Sequence, residues 1–221
     1  MSKMEEIKGF IFDLDGTLLD TIEDIKDSMN LVLERRGFPV HDTAFYKDAV
    51  GEGTEKLVIA SLLENQRDEK TVKECLYELK ENYSKMWANK TKPYEGIEEL
   101  LSELFKRGKS ISILSNKDDR FTKEMVSYYF PNFKFDFVFG SRDGIPKKPS
   151  PQVALYISEK TGIPPHNYAF IGDSGFDIQT GKNAGMFSVG VSWGFKTIES
   201  LIENGADLIV EKPHQILTLI K

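Results

Sequence analysis

Six short apolar runs, most separated by segments of helical period, constrain this chain more than any other feature. The runs are Lys8-Gly9-Phe10-Ile11-Phe12, Ser110 to Leu114, Phe135 to Phe139, Tyr168 to Ile171, Phe187 to Val191 and Asp207 to Val210. Glu95 to Arg107 places Ile97, Leu100, Leu101, Leu104 and Phe105 on one helical face and stops at Gly108. Pro151 to Thr161 opens on proline and is closed by Gly162, and Phe176 to Ala184 is closed by Gly185. Strands alternating with helices of this length predict an α/β fold, a parallel sheet covered on both faces.

One stretch breaks the alternation. From about Thr21 to Asn89 no strand pattern appears, only amphipathic helical stripes. Ile22, Ile25, Met29, Val32 and Leu33 form one stripe, ended by Gly37. Leu57, Ile59, Ala60, Leu62 and Leu63 form a second, and a third runs from Val72 through Met86. Alternation resumes at Pro93. The expected organisation is therefore an α/β core from residues 1–18 and 90–221, carrying an inserted all-helical domain at 19–89.

In a parallel sheet, ligands sit beyond the carboxyl ends of the strands. The first run is followed by Asp13-Leu14-Asp15-Gly16-Thr17 and the second by Ser115-Asn116-Lys117. The third leads on to Lys147-Lys148-Pro149-Ser150-Pro151, and the fourth ends in Gly172-Asp173-Ser174-Gly175-Phe176-Asp177. Asp13 and Asp15 share one side of an extended chain, although acids before Gly-Thr also cap turns. Asp173 and Asp177 bring two more acids to the same end of the sheet. Crowded carboxylates call for protons or a cation, and their oxygens suit Mg²⁺.

A carboxylate attacking a phosphate dianion meets roughly 8 kcal/mol of repulsion at about 4 Å and an effective dielectric of about 20. A divalent ion and a lysine ammonium offset it. Lys148, between residues restricted by Pro149 and Pro151, is the expected ammonium, while neighbouring Lys147 reads as a solvated surface residue. Ser115 and Asn116 offer donors at a strand-to-helix turn, a usual cradle for phosphate oxygens.

These residues resemble the haloacid dehalogenase superfamily, specifically its phosphoglycolate phosphatase-like members with a helical cap of the first type. Phe10-Ile11-Phe12-Asp13-Leu14-Asp15-Gly16-Thr17-Leu18 resembles the family's first motif and Ser115-Asn116-Lys117 its second. Lys148-Pro149-Ser150-Pro151 resembles its third, and Gly172-Asp173-Ser174 with Asp177 its fourth; Val191-Ser192-Trp193-Gly194 also looks like this subgroup. The resemblance spans nearly the whole chain and implies a Rossmann-like core with an inserted helical cap. It implies that Asp13 attacks phosphorus to form an aspartyl-phosphate, with Asp15 as general acid and then base. Mg²⁺ is expected on the Asp13 and Asp173 carboxylates and the Asp15 main-chain carbonyl. Ser115, Lys148 and the backbone N–H groups of Asn116 and Gly16 are expected to hold phosphate oxygens. Thr17, Ser174 and Asp177 are expected to act from behind these groups, Thr17 by supporting the turn and Asp177 through a metal water or by orienting Lys148.

The expected partner is a small phosphorylated metabolite, phosphoglycolate first. The Val50-Gly51-Glu52-Gly53-Thr54 stretch resembles the cap loop that selects substrate in such enzymes, and equally reads as a glycine loop ahead of a helix. A sugar phosphomutase similar to beta-phosphoglucomutase is the nearest rival; mutases of that type tend to carry valine where Thr17 stands. Pyrophosphatase and nucleotidase activities are further options on the same scaffold. A receiver-like signalling domain is disfavoured by the insertion, and a silent binding protein by the full set of functional groups.

Composition narrows the field further. A formal net charge of −6 disfavours non-specific nucleic-acid binding. No apolar run reaches the about 18 residues of a spanning helix, and the N-terminus shows no secretion signal. Cys75, the single cysteine, sits at helical spacing with Val72, Leu76 and Leu79 and reads as a buried apolar residue in a reducing compartment. A cytoplasmic monomer or homodimer is the expectation. His41, His166 and His214 lack ligand spacing, and Trp87 and Trp193 read as packing residues.

Overall fold

A computed structural model describes residues 7–220. Residues 1–6 and 221, which the sequence assigns to the core, lie outside the described residues, and the expectation of no secretion signal falls on the first of these. The strands are β1 (Gly9–Phe12), β2 (Leu19–Asp20), β3 (Lys92–Pro93), β4 (Ser110–Asp118), β5 (Phe137–Ser141), β6 (Tyr168–Gly172), β7 (Phe187–Val191) and β8 (Leu208–Val210). The helices are α1 (Ile22–Arg35), α2 (Thr43–Ala49), α3 (Thr54–Ser61), α4 (Glu69–Met86), α5 (Ile97–Lys106), α6 (Asp119–Tyr129), α7 (Gln152–Thr161), α8 (Gly175–Asn183) and α9 (Ile198–Glu203).

Six strands form one parallel sheet in the order β5-β4-β1-β6-β7-β8. Side chains alternate along β1, so Phe10 and Phe12 pack on one face with Leu100, Leu101 and Leu104 of α5 and Met125 of α6. Ile11 faces the other way, into Ala154 and Ile157 of α7 with Tyr168 and Phe170 of β6. Both faces are covered, as the run pattern predicts. The chain first moves outward from β1 through β4 to β5, then returns to lay β6, β7 and β8 on the opposite flank. That reversal makes β1 the switch point, and the crevice beyond its carboxyl end is where such sheets bind ligands.

Register then does the positioning. Phe12 lies opposite Ile113 on one neighbour and Ile171 on the other. The residues that follow, Asp13, Leu114-Ser115 and Gly172-Asp173, therefore stand side by side beyond the carboxyl end of β1. The Asp13 N–H continues the ladder to the Ile171 carbonyl at 2.9 Å.

The insertion between β2 and β3 is all helical, with a hydrophobic cluster of its own. Met29, Val32 and Leu33 of α1, Tyr46 of α2, Leu57 and Val58 of α3, and Cys75, Leu79 and Tyr83 of α4 pack together. Phe121 and Phe195 join this cluster from the α/β part. The second stripe differs from the sequence reading: Leu57, Val58, Ser61 and Leu62 are buried, whereas Ala60 and Leu63 face outward. The cause is that α3 ends at Ser61, so Leu62 and Leu63 leave the helix in extended backbone and no longer follow its period. At the junction, β2 and β3 form a short antiparallel ribbon, Leu19 opposite Pro93 and Asp20 opposite Lys92. Beside it the buried Asp24 carboxylate accepts from the Lys90 and Thr91 N–H groups and from the Thr91 hydroxyl. Among the described residues, no helix is long and apolar enough to cross a membrane.

Candidate active site

The cleft between the sheet's carboxyl edge and the helical insertion holds a cavity of about 80 Å³. Its floor is Asp13, Asp15, Ser115, Asn116, Lys117, Asp173 and Ser174, and its apolar wall includes Ile25, Leu57, Leu79, Tyr83, Phe121 and Phe195. Carboxylate oxygens of Asp13, Asp173 and Asp177 lie within 4.8 Å of one another. All three residues are buried.

One ammonium serves this cluster. Lys148 Nζ is 2.8 Å from Asp13 Oδ1 and donates to Asp177 Oδ1 at 2.6 Å. Its position is set through the main chain: Asn116 Oδ1 accepts from the Lys148 N–H at 2.9 Å, and Asn116 Nδ2 donates back to the Lys148 carbonyl at 3.2 Å. Asp177 also closes a capping box at the start of α8, where Oδ2 accepts from the Ser174 N–H at 3.0 Å and the Ser174 hydroxyl at 2.6 Å. Both Asp177 oxygens are thus engaged, one by Lys148 and one by Ser174.

Asp173 is packed against backbone. Its Oδ2 accepts from the Phe195 N–H at 2.7 Å. A Cβ on Gly16, whose φ is +81°, would fall 2.2 Å from Asp173 Oδ2, and one on Gly194 would fall 2.2 Å from Asp173 Cβ. Both positions need glycine for this close approach.

Charge is unbalanced here. Burial pushes the Asp13 carboxyl up to about 7 against the pull of Lys148, with Asp177 adding to the rise. Burial, followed by repulsion from Asp177 and Asp13, holds Asp173 well above the carboxylate range. For Lys148, burial works downward, but Asp13 and Asp177 outweigh it and hold the ammonium above its ordinary value. Three buried carboxylates facing one lysine form an oxygen-only donor set with excess negative charge. That set fits a hard divalent cation such as Mg²⁺.

Several expected contacts differ in detail. Ser115 and Asn116 lie within β4, which continues to Asp118 across a register shift after Leu114, rather than at a strand-to-helix turn. The Gly16 N–H is taken up by the Leu19 carbonyl at 2.8 Å, so the expected phosphate contact is not available from it; the tight turn that brings Gly16 against Asp173 demands this bond. The buried Thr17 hydroxyl finds no protein partner, and Thr17 braces the site through its carbonyl, which accepts from Trp193 Nε1 at 3.1 Å. In the 51–53 loop, Gly51 and Gly53 line the cavity while exposed Glu52 does not. The Gly51 carbonyl accepts from Asn116 Nδ2 at 2.9 Å, joining the loop to the floor. Lys147 is exposed, as expected, and its Nζ lies close over Gly53.

Four residues here have no role in the sequence reading, although Lys117 stands there in the Ser115-Asn116-Lys117 motif. The Phe195 N–H braces Asp173, and half-buried Lys196 donates to the Lys47 and Asp48 carbonyls at 2.7 and 2.6 Å, tying the loop after β7 to the insertion. Lys117 and Tyr83 meet at Asp15: Lys117 Nζ is 3.1 Å from both carboxylate oxygens and 4.5 Å from the Tyr83 ring centroid. A signal for Lys117 existed in its parity with Ser115 along a strand.

Fold and site, taken with the relatives that follow, define a phosphoric monoester hydrolase. The family model described as haloacid dehalogenase-like hydrolase matches residues 10–191. A phosphoglycolate phosphatase of Psychrobacter arcticus is 32% identical over 192 residues, covering 84% of this chain and 83% of that protein. An N-acetylmuramic acid 6-phosphate phosphatase of Pseudomonas aeruginosa is 29% identical, covering 99% and 96%. Among solved structures, a phosphoglycolate phosphatase candidate from Lactobacillus delbrueckii superposes with a TM-score of 0.90 at 28% identity, covering 97% of this chain and 99% of that one. The chain belongs to the haloacid dehalogenase-like hydrolases, in the company of their phosphoglycolate phosphatase-like members.

Proposed function

We propose that this enzyme hydrolyses a small phosphomonoester, phosphoglycolate first among candidates, through a phosphoryl group carried on Asp13. The observation that carries this reading is the meeting of Asp13, Ser115 and Asp173, from the adjacent strands β1, β4 and β6, with Lys148 from the loop after β5 and with Asp15 beside them in the cleft. Asp13 supplies the attacking carboxylate oxygen, and the bond from phosphorus to the leaving oxygen breaks as Asp15 gives that oxygen a proton. Asp15 then takes a proton from water, whose oxygen forms the new bond to phosphorus. The bond to Asp13 breaks, and inorganic phosphate leaves. Lys148 and the Ser115 hydroxyl face the phosphoryl oxygens, while Asp177 holds Lys148 in place. Mg²⁺, when held by the Asp13 and Asp173 carboxylates and the Asp15 carbonyl, supplies the positive charge that this buried acid cluster calls for.

The helical insertion, residues 19–89, acts as the cap over residues 1–18 and 90–221. It excludes bulk water when docked, with Lys196, Asn116 and the paired β2 and β3 as its connections. Thr54, Leu57 and Tyr83 of the insertion line the cavity and are the side chains that meet the leaving group.

Phosphate release from a panel containing phosphoglycolate, N-acetylmuramic acid 6-phosphate, a hexose 1-phosphate and pyrophosphate tests the reading. Phosphoglycolate is expected to show the highest kcat/KM, with no sugar isomerisation. Asp13→Asn is expected to lower turnover more than about 10³-fold while the circular dichroism spectrum is unchanged. Full activity in that variant removes Asp13 as nucleophile.

A further inference from the structure

Lys117 is a buried charge that the mechanism above leaves without a task. It stands near the end of β4, its side chain 7% exposed against 12% for the Asp15 side chain it faces. The ammonium bridges both Asp15 oxygens at 3.1 Å and rests on the face of Tyr83, which α4 of the insertion presents. A lysine normally carries its ammonium out to water; this one is held inward by a carboxylate on one side and an aromatic face on the other. Burial works to lower its pKa, and Asp15 followed by Tyr83 outweighs burial.

The cleft therefore contains two separate ion pairs with different surroundings. Lys148 serves Asp13 and Asp177 beneath the phosphoryl position, whereas Lys117 serves Asp15 alone, on the cavity side. Without Lys117, the Asp15 carboxylate is free to rotate about its side-chain bonds, toward the cation-binding acids or into solvent. With both oxygens engaged by one ammonium, its orientation toward the cavity is set before substrate arrives.

Resting on the acid–base role proposed for Asp15, we infer that Lys117 is the positioning residue for that carboxylate. Tyr83 seats the ammonium, so the alignment of Asp15 depends on the insertion being docked.

Leaving-group chemistry tests this directly. 4-Nitrophenolate departs without receiving a proton, whereas glycolate needs one, and both substrates share the later hydrolysis of the phosphorylated enzyme. Lys117→Met is expected to lower kcat on phosphoglycolate about 10²-fold and on 4-nitrophenyl phosphate about tenfold, with KM within about threefold of wild type. In an Asp15→Asn background it is expected to add less than about threefold. Lys117→Arg, which keeps a cation, is expected to recover at least about tenfold over Lys117→Met. A merely structural role predicts equal losses on both substrates, a raised KM and additivity with Asp15→Asn, and that result overturns the inference. Should Lys117→Met not fold, Tyr83→Leu carries the test: a kcat loss of about threefold or more on phosphoglycolate at constant KM supports the inference, and unchanged kcat overturns it. Wild-type protein inactive on both substrates sinks the phosphatase reading itself, whereas active wild type with an unimpaired Lys117→Met sinks the positioning role alone.

Discussion

At the scale of single residues, each buried ammonium of the site is paired with carboxylates, while the acids outnumber the ammoniums. Lys148 shows this most clearly: Asn116 grips its main chain from both sides, and two carboxylates receive its ammonium. Removing one member of a buried ion pair leaves an uncompensated charge, which is worse than never having built the pair. Lys148→Met is thus expected to destabilise the protein by about 3 kcal/mol, read as a lowered urea midpoint in chelator. It is also expected to lower kcat more than about 10²-fold. A midpoint equal to that of wild type would show that Asp177 finds another partner. Gly16 and Gly194 make the complementary point, because what they contribute is the absence of a side chain where Asp173 must lie.

Individual elements carry the next level of organisation, and α1 is the clearest example. Its buried face packs the insertion, while Asp24 in its first turn fastens the returning chain at Lys90 and Thr91 just before β3. Three donors converge on this one acceptor, so Asp24→Ala strands them at the junction between the insertion and the sheet. The expected cost is about 2 kcal/mol, measurable as a shift in the chemical denaturation midpoint. A shift below about 0.5 kcal/mol would mean that water replaces the carboxylate at no penalty. The α4 helix likewise has two duties, burying Cys75 and Leu79 in the insertion and presenting Tyr83 to Lys117.

For the whole molecule, the central fact is that the excess negative charge lies where sheet and insertion meet. A cation that binds the folded cluster and not the unfolded chain must stabilise the fold by mass action. At Mg²⁺ about 100-fold above its dissociation constant, the gain is about 2.7 kcal/mol, or a rise in Tm of roughly 5–10 °C for a chain of this size. Calorimetry with and without chelator checks it. Excess chelator is expected to abolish turnover as well. An unmoved Tm together with chelator-resistant activity would show that the acids bind no metal.

How much of this was legible beforehand depended on the range of the interaction involved. The six strands could be read because a buried parallel strand writes itself as a local apolar run, and the acids that end such runs announce the site. β2 and β3, two residues each, have no periodicity to read, and α2 buries only Tyr46. Asp13, Asp173 and Asp177 were visible as residue types, yet nothing local says that the Gly16 N–H is committed to Leu19 or that Phe195 supplies a donor to Asp173. Lys117 reads like any polar residue after a strand until α4, from another part of the chain, lays Tyr83 across it.

The sequence by itself determined the sheet, the interruption by helices and the inventory of reactive groups, since each follows from hydrophobic period and residue chemistry over a few neighbours. Tertiary structure alone decided which of those groups are paired, aimed and shielded. Those properties depend on contacts between residues up to 176 positions apart, set by the register of the sheet and by the packing of the insertion against it.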